Sequence, residues 1–269
     1  MVKAGERPQE QRDVPTRRVI ILGASNVTRD LGTVVATALG VWRGPLDIMA
    51  AIGHGRSYGA TSNVLGRRLP GILECGLWKA VAERPPLPTA ALVTDIGNDV
   101  LYGVPVEQIA AWIEETIDRL QSLDARIVMT RLPLCNLGTL SQRRFLFFRS
   151  LFVPSCKLSL AEARSRACQL DEQVERIGRA HGITLVEQQS AWYGLDPIHI
   201  RLDRASRVWR EILAHWLDEE QQITKGRLPL WPALRLRLLA PQERQLWFYQ
   251  QRTAQPSGQL PNGTLISLY

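Results

Sequence analysis

"VIILGASNVTRDL", Val19 to Leu31, is the stretch that decides the fold. An apolar run ends in Gly23-Ala24-Ser25-Asn26 and passes into apolar residues at helical spacing. Such a run reads as a strand buried on both faces, the mark of a parallel sheet covered by helices. "LDIMAAI" (46–52), "AALVTDI" (90–96), "ARIVMTRLPL" (125–134) and "GITLVEQ" (182–188) repeat the theme. Helical patterns stand between them. Val106, Ile109, Ile113, Ile117 and Leu120 share one face, as do Ala163, Ala167, Leu170, Val174 and Ile177, with Ser159 and Glu162 at capping-box spacing. Asp203 is placed to cap a last helix that buries Val208, Trp209, Ile212 and Trp216. This alternation predicts an α/β protein, a three-layer α/β/α sandwich around a five-stranded parallel sheet.

The chain of 269 residues is 45% hydrophobic, enough for one main domain with extensions. Its net charge of +7 is confined to the ends. Residues 1–18 hold five Lys/Arg against three acids, and residues 222–269 six against one, which leaves 22 of each sign between them. A neutral middle argues against nucleic acid as the partner. The expected division is a polar extension over 1–17, a catalytic domain over 18–220 and a basic, aromatic appendage over 221–269. That appendage packs on the domain or meets a protein or an anionic membrane surface. Within it Leu234, Leu236 and Leu238 alternate with Arg235 and Arg237 as in a strand, although helix and strand periods compete there. Cys75, Cys135, Cys156 and Cys168 form no CxxC pair and read as reduced, mostly buried residues. With no apolar leader and no run of about 20 apolar residues, a soluble cytoplasmic protein is expected.

In an open parallel sheet, ligands bind beyond the carboxyl ends of the strands. The loops to inspect are therefore Gly23–Asn26, "GHGRSYG" (53–59), "GND" (97–99) and "LDPIHI" (195–200). A dinucleotide-binding turn needs glycines where Ser25 and Thr28 stand, and a nucleophile elbow needs one where Val27 stands. What remains is a serine at a strand-to-helix turn, its own N–H at the helix start where negative charge is favoured. Alone it would read as a helix cap. His199, three residues after Asp196, is the candidate base, with that carboxylate in local reach to orient the imidazole. Asn98 offers a side-chain NH2 to an oxyanion, and Gly55 or Gly59 a backbone N–H. His54 and His215 read as structural, with His54 a lesser candidate for substrate contact. Arg56 and Tyr58 are candidates for the mouth of the site. The run "RRFLFFRSLFVP" (143–154) reads as a helix packed on the core near that mouth.

Ser25 in "GASN", a glycine in "GHGRSYG", Asn98 in "GND" and Asp196/His199 in "DPIH" stand in the order of the four blocks of the SGNH (GDSL-type) hydrolases, which the chain resembles over residues 18–217. The resemblance implies a flavodoxin-like strand order 2-1-3-4-5 and a Ser25–His199–Asp196 triad that cleaves carboxylic esters through an acyl-enzyme, with neither metal nor organic cofactor. It also implies an oxyanion hole of Ser25, Gly55 and Asn98, Gly55 being favoured over Gly59 because "GRS" directly follows the strand. The first block commonly reads Gly-Asp-Ser and here reads Gly-Ala-Ser, so any work done by that aspartate is absent here or supplied elsewhere. Acyl transfer to an acceptor other than water needs the same residues. A reading of a different class is a non-catalytic scaffold that uses its basic C-terminal segment for a partner.

Overall fold

The computed structural model describes residues 14–64, 66–154, 156–218, 223–224, 228 and 230–269. The N-terminal extension up to Asp13 and parts of the segment 219–229 lie outside the described residues. The Val19 run forms β1 (Arg17–Leu22) and leads into α1 (Ser25–Val41). β2 (Leu46–Ala51) follows, then a short antiparallel pair, β3 (Ser62–Val64) and β4 (Arg67–Leu69), and α2 (Leu77–Glu83). β5 (Thr89–Val93) runs into α3 (Asn98–Leu101) and α4 (Val106–Gln121), and β6 (Arg126–Thr130) into α5 (Leu134–Thr139), α6 (Gln142–Phe152) and α7 (Leu160–Ala180). After β7 (Thr184–Val186) come α8 (Leu202–Leu213) and α9 (Leu230–Leu236). The chain closes with β8 (Glu243–Leu246), β9 (Tyr249–Arg252), β10 (Gly258–Gln259) and β11 (Leu265–Leu268).

The central sheet has the order β10-β11-β2-β1-β5-β6-β7 and is parallel except for β10. It therefore has seven strands where the sequence predicts five. The five predicted ones lie side by side as β2-β1-β5-β6-β7, and the extra pair comes from the C-terminal segment read as an appendage. β11 pairs in register with β2, Ile266 opposite Ile48, and Ile266 is fully buried. β8 and β9 continue the β3–β4 pair into a second, four-stranded antiparallel sheet.

Alternation along β1 explains why its run is wholly apolar. Val19 and Ile21 join a core cluster with residues of α1 and α8, while Ile20 and Leu22 join another with residues of α2, α4 and α7. The predicted faces of α4 and α7 are buried, and Ser159 and Glu162 form a reciprocal capping box. Three expectations are corrected. Asp203 lies inside the first turn of α8, whose N-cap is Arg201, and its carboxylate bonds the Arg201 guanidinium instead. The leucine alternation at 234–238 belongs to the end of a helix, with Leu236 buried and Leu234 and Leu238 exposed. Cys135 and Cys168 are exposed, although all four thiols are free. Among the described residues no helix is long and apolar enough to cross a membrane.

Candidate active site

β1 and β5 end side by side, and the chain leaves β1 through a turn that only glycine fits. A Cβ on Gly23 would stand 2.8 Å from the Thr94 methyl and 2.9 Å from a Val27 methyl. Ala24 takes the N-cap of α1 without any side-chain bond from within the helix. Ser25 is thus the first helical residue, and its hydroxyl is left for other work.

His199 supplies that work. Its Nε2 lies 2.9 Å from Ser25 Oγ, and its Nδ1 lies 2.6 Å from Asp196 Oδ2. The backbone N–H groups of Ile198 and His199 donate to Asp196 Oδ1 at 3.0 and 3.2 Å, so the carboxylate is fixed by the loop it organises. Burial raises the Asp196 carboxyl, but the hydrogen bond and charge of His199 with these two amides outweigh it and hold it below the usual carboxylate range. The three predicted residues, 174 positions apart between serine and histidine, form one hydrogen-bonded chain.

Two residues that the sequence did not single out hold the turn. Asp95, just beyond β5, has a left-handed backbone with φ of 59° and reaches across to the start of α1. Its Oδ2 accepts the N–H groups of Ala24 and Asn26 at 2.9 and 3.0 Å, supplying the cap that the helix lacks in its own sequence. The Ser25 N–H, between them, has no protein acceptor among the described residues. Asn26 donates from Nδ2 to Asp95 Oδ1 (2.7 Å) and the Ile198 carbonyl (3.0 Å), and its Oδ1 accepts the Ile200 N–H (2.8 Å). It thereby grips both neighbours of His199.

Asn98 opens α3 and lines the same cavity as Ser25. Its Nδ2 points to the Arg56 carbonyl at 3.4 Å, which sets it against the loop after β2. In that loop Gly55 has φ of 63°, and a Cβ there would stand 2.6 Å from a Val64 methyl, beside the Tyr102 hydroxyl that bonds the Gly55 carbonyl. Gly59 lies under the indole of Trp112, where its lack of a side chain serves helix packing. Arg56 and Tyr58 do not line the mouth. Both are buried: Arg56 donates to the carbonyls of Ile52, Pro70 and Tyr269, and the Tyr58 hydroxyl to that of Thr94. Beneath them burial pushes the Asp99 carboxyl up to about 6, against hydrogen bonds from Ser57 and the Tyr58 N–H.

The cavity at Ser25 has a volume of about 120 Å³ and mostly apolar walls, among them Ile96, Leu132, Leu140, Phe145, Phe148 and Ala163. α6 thus contributes to the site as well as to the core. At its edge Arg131 is neutralised by Asp171 and by Glu175 at 3.0 Å.

No protein-family model matches this chain, and no curated protein matches it in sequence. Solved structures do resemble it. The psychrotrophic esterase EstA from Pseudoalteromonas sp. aligns with 74% of this chain and 97% of its own, at 12% identity and a TM-score of 0.48. The acetyl xylan esterase AlAXEase aligns over 74% and 100%, at 9% identity and 0.48. A lipolytic protein of the G-D-S-L family from Veillonella parvula aligns over 74% and 96%, at 11% identity and 0.46.

Proposed function

We propose that this protein is a serine hydrolase of carboxylic esters. The observation that carries the reading is the continuous chain Ser25 Oγ, His199 Nε2, His199 Nδ1, Asp196 Oδ2, with contacts of 2.9 and 2.6 Å. Ser25 Oγ attacks the acyl carbon while His199 takes its proton, and Asp196 holds the imidazole in the tautomer whose Nε2 accepts that proton. Collapse of the tetrahedral intermediate breaks the bond to the alcohol oxygen, which leaves with the proton from His199. Water then repeats the sequence on the acyl-enzyme. The oxyanion is received by the Ser25 N–H, which has no protein acceptor among the described residues, with the Asn98 amide and the Gly55 N–H as partners. The acyl chain occupies the apolar cavity at Ser25.

A fluorophosphonate tests the reading. Stoichiometric labelling that disappears in Ser25→Ala is expected. Absence of labelling at saturating reagent would leave the scaffold reading in its place. Transfer to another acceptor would show as acylated acceptor at the expense of free acid when candidate alcohols are added.

A further inference from the structure

A second cavity, of about 440 Å³, contains none of the triad residues but is reached from them along α1 and α8, and it combines leucine-rich walls with cationic groups. Its walls carry Arg29, Arg67, Arg237 and Arg244, with His54 and Thr28. Arg29 follows Ser25 by one turn of α1, and Leu202, three residues after His199, lines the same space. Partial burial, and after it the nearby charges of Arg67, His199 and Arg29, hold His54 below the usual imidazole value. The Arg67 Nη2 lies 3.7 Å from where a Cβ on Gly53 would be, so the guanidinium covers the loop that follows β2.

No Asp or Glu among the described residues lines this cavity, and none there pairs with its four arginines. The flanking acids are engaged elsewhere. Glu243 pairs with Arg252 at 3.2 Å and Asp203 with Arg201 at 2.8 Å, while buried Asp30 accepts from Trp209 Nε1 at 2.9 Å and lies near enough to feel the charges of Arg29 and Arg237. Arg244 Nε donates to Gln251 Oε1 at 2.7 Å, a neutral partner that leaves its charge in place. Arg67 and Arg244 lie close enough to repel one another, and the forked donors of a guanidinium match the geometry of an oxyanion. Four guanidinium groups against one nearby carboxylate leave an excess of positive charge that fits a doubly charged anion better than a single carboxylate.

We infer that this cavity binds a phosphate monoester carried by the alcohol half of the substrate. The assignment to the alcohol half rests on the hydrolase reading: the acyl chain fills the apolar cavity, and the alcohol departs on the side of His199, which protonates it. Only the acyl C–O bond breaks. Water supplies the hydroxyl of the acid, and the phosphate leaves intact on the alcohol.

The test separates the two readings. Glycerol 3-phosphate is titrated calorimetrically into full-length Ser25→Ala protein, beside glycerol. Binding of the phosphate alone is expected, weakened by salt and by about tenfold for each of Arg67→Ala and exposed Arg237→Gln. Vesicles of phosphatidylcholine with and without phosphatidic acid form a second arm. Binding to the acidic vesicles that depends on Arg67 and Arg237, without binding of the soluble ester, supports the site and places the phosphate on a lipid. Binding in neither arm, or binding indifferent to both substitutions in correctly folded protein, overturns it. In wild type, kcat/KM for 1-butyrylglycerol 3-phosphate should exceed that for 1-butyrylglycerol by about tenfold or more, and the ratio should fall towards one in Arg67→Ala. Hydrolysis of neither ester with arginine-dependent phosphate binding intact refutes the hydrolase reading alone.

Discussion

The two cavities differ in how their cations are answered. At the apolar one, Arg131 is held by Asp171 and Glu175, and the walls come mostly from a single stretch of chain, residues 95–167. At the other, four arginines from α1, β4, the end of α9 and β8 face one space with no carboxylate among the described residues lining it. Arg131 is paired into its wall, whereas the charge of the four arginines exceeds that of Asp30, the one carboxylate that feels two of them. On the readings proposed above, the two cavities take the two halves of a substrate, and the reacting bond lies at Ser25. The largest expected effect falls on that shared point. Ser25→Ala and His199→Ala should each lower turnover of any ester by about 10⁴-fold or more, and the double variant should be scarcely worse, because such groups act as a unit. Losses that multiply would break the assignment.

The next effect concerns the wall of the cationic cavity. Arg237 and Arg244 belong to the same C-terminal segment that sends β11 into the sheet beside β2. Ile266 is buried in the core cluster of α1 and α8, so Ile266→Ala should cost about 2–5 kcal/mol of stability in denaturant unfolding. A cost below about 1 kcal/mol would return the segment to the status of a dispensable appendage.

This region also marks where the sequence stops being readable. The inner strands are legible because a strand buried on both faces must be a run of aliphatic residues. β11 is four residues long, and its neighbour Thr264 accepts the Leu46 N–H across 218 positions, a pairing that no local period encodes. The site divides in the same way. Asp196 and His199 are legible as a pair three residues apart, and Ser25 by its place at a strand end. Asp95 is not, since "TDIGND" offers two aspartates and only the backbone conformation shows which one reaches the helix start. The arginines of the cationic cavity are scattered between positions 29 and 244 and meet only in three dimensions.

Asp99, the other aspartate of that stretch, gives a pH signature. Its folded value of about 6 lies above the ordinary 3.8, so between these values the native state holds more protons than the unfolded chain. Stability from this group is fully present below pH 3.8 and is lost as pH rises through 6, by up to about 3 kcal/mol. Urea unfolding of Asp99→Asn against wild type from pH 4 to 7 should show the decline only in wild type. Parallel curves would refute it. Asp95 acts on rate instead. Asp95→Asn keeps one acceptor oxygen but turns an amide towards N–H groups of α1, and the resulting shift of Ser25 should lower kcat by about 10–100-fold with KM nearly unchanged. A change confined to KM would assign Asp95 to substrate binding.

The smallest effect isolates the apolar cavity. Ala163 is a buried residue of α7 that faces both this cavity and the cluster of Leu140, Phe145 and Leu160. In Ala163→Leu three added carbons occupy space that the acyl chain would fill. The preference for butyryl over acetyl esters should then fall by about tenfold, in line with one or two methylenes' worth of pocket contact. Overpacking costs about 1–3 kcal/mol, so folding must be verified by unfolding before the rates are compared. Because the substitution leaves the arginine cavity untouched, glycerol 3-phosphate should bind this variant as it binds wild type. If instead the loss is equal for acetyl and butyryl esters, the apolar space does not receive the acyl chain, and the division of the substrate between the two cavities must be reversed or abandoned.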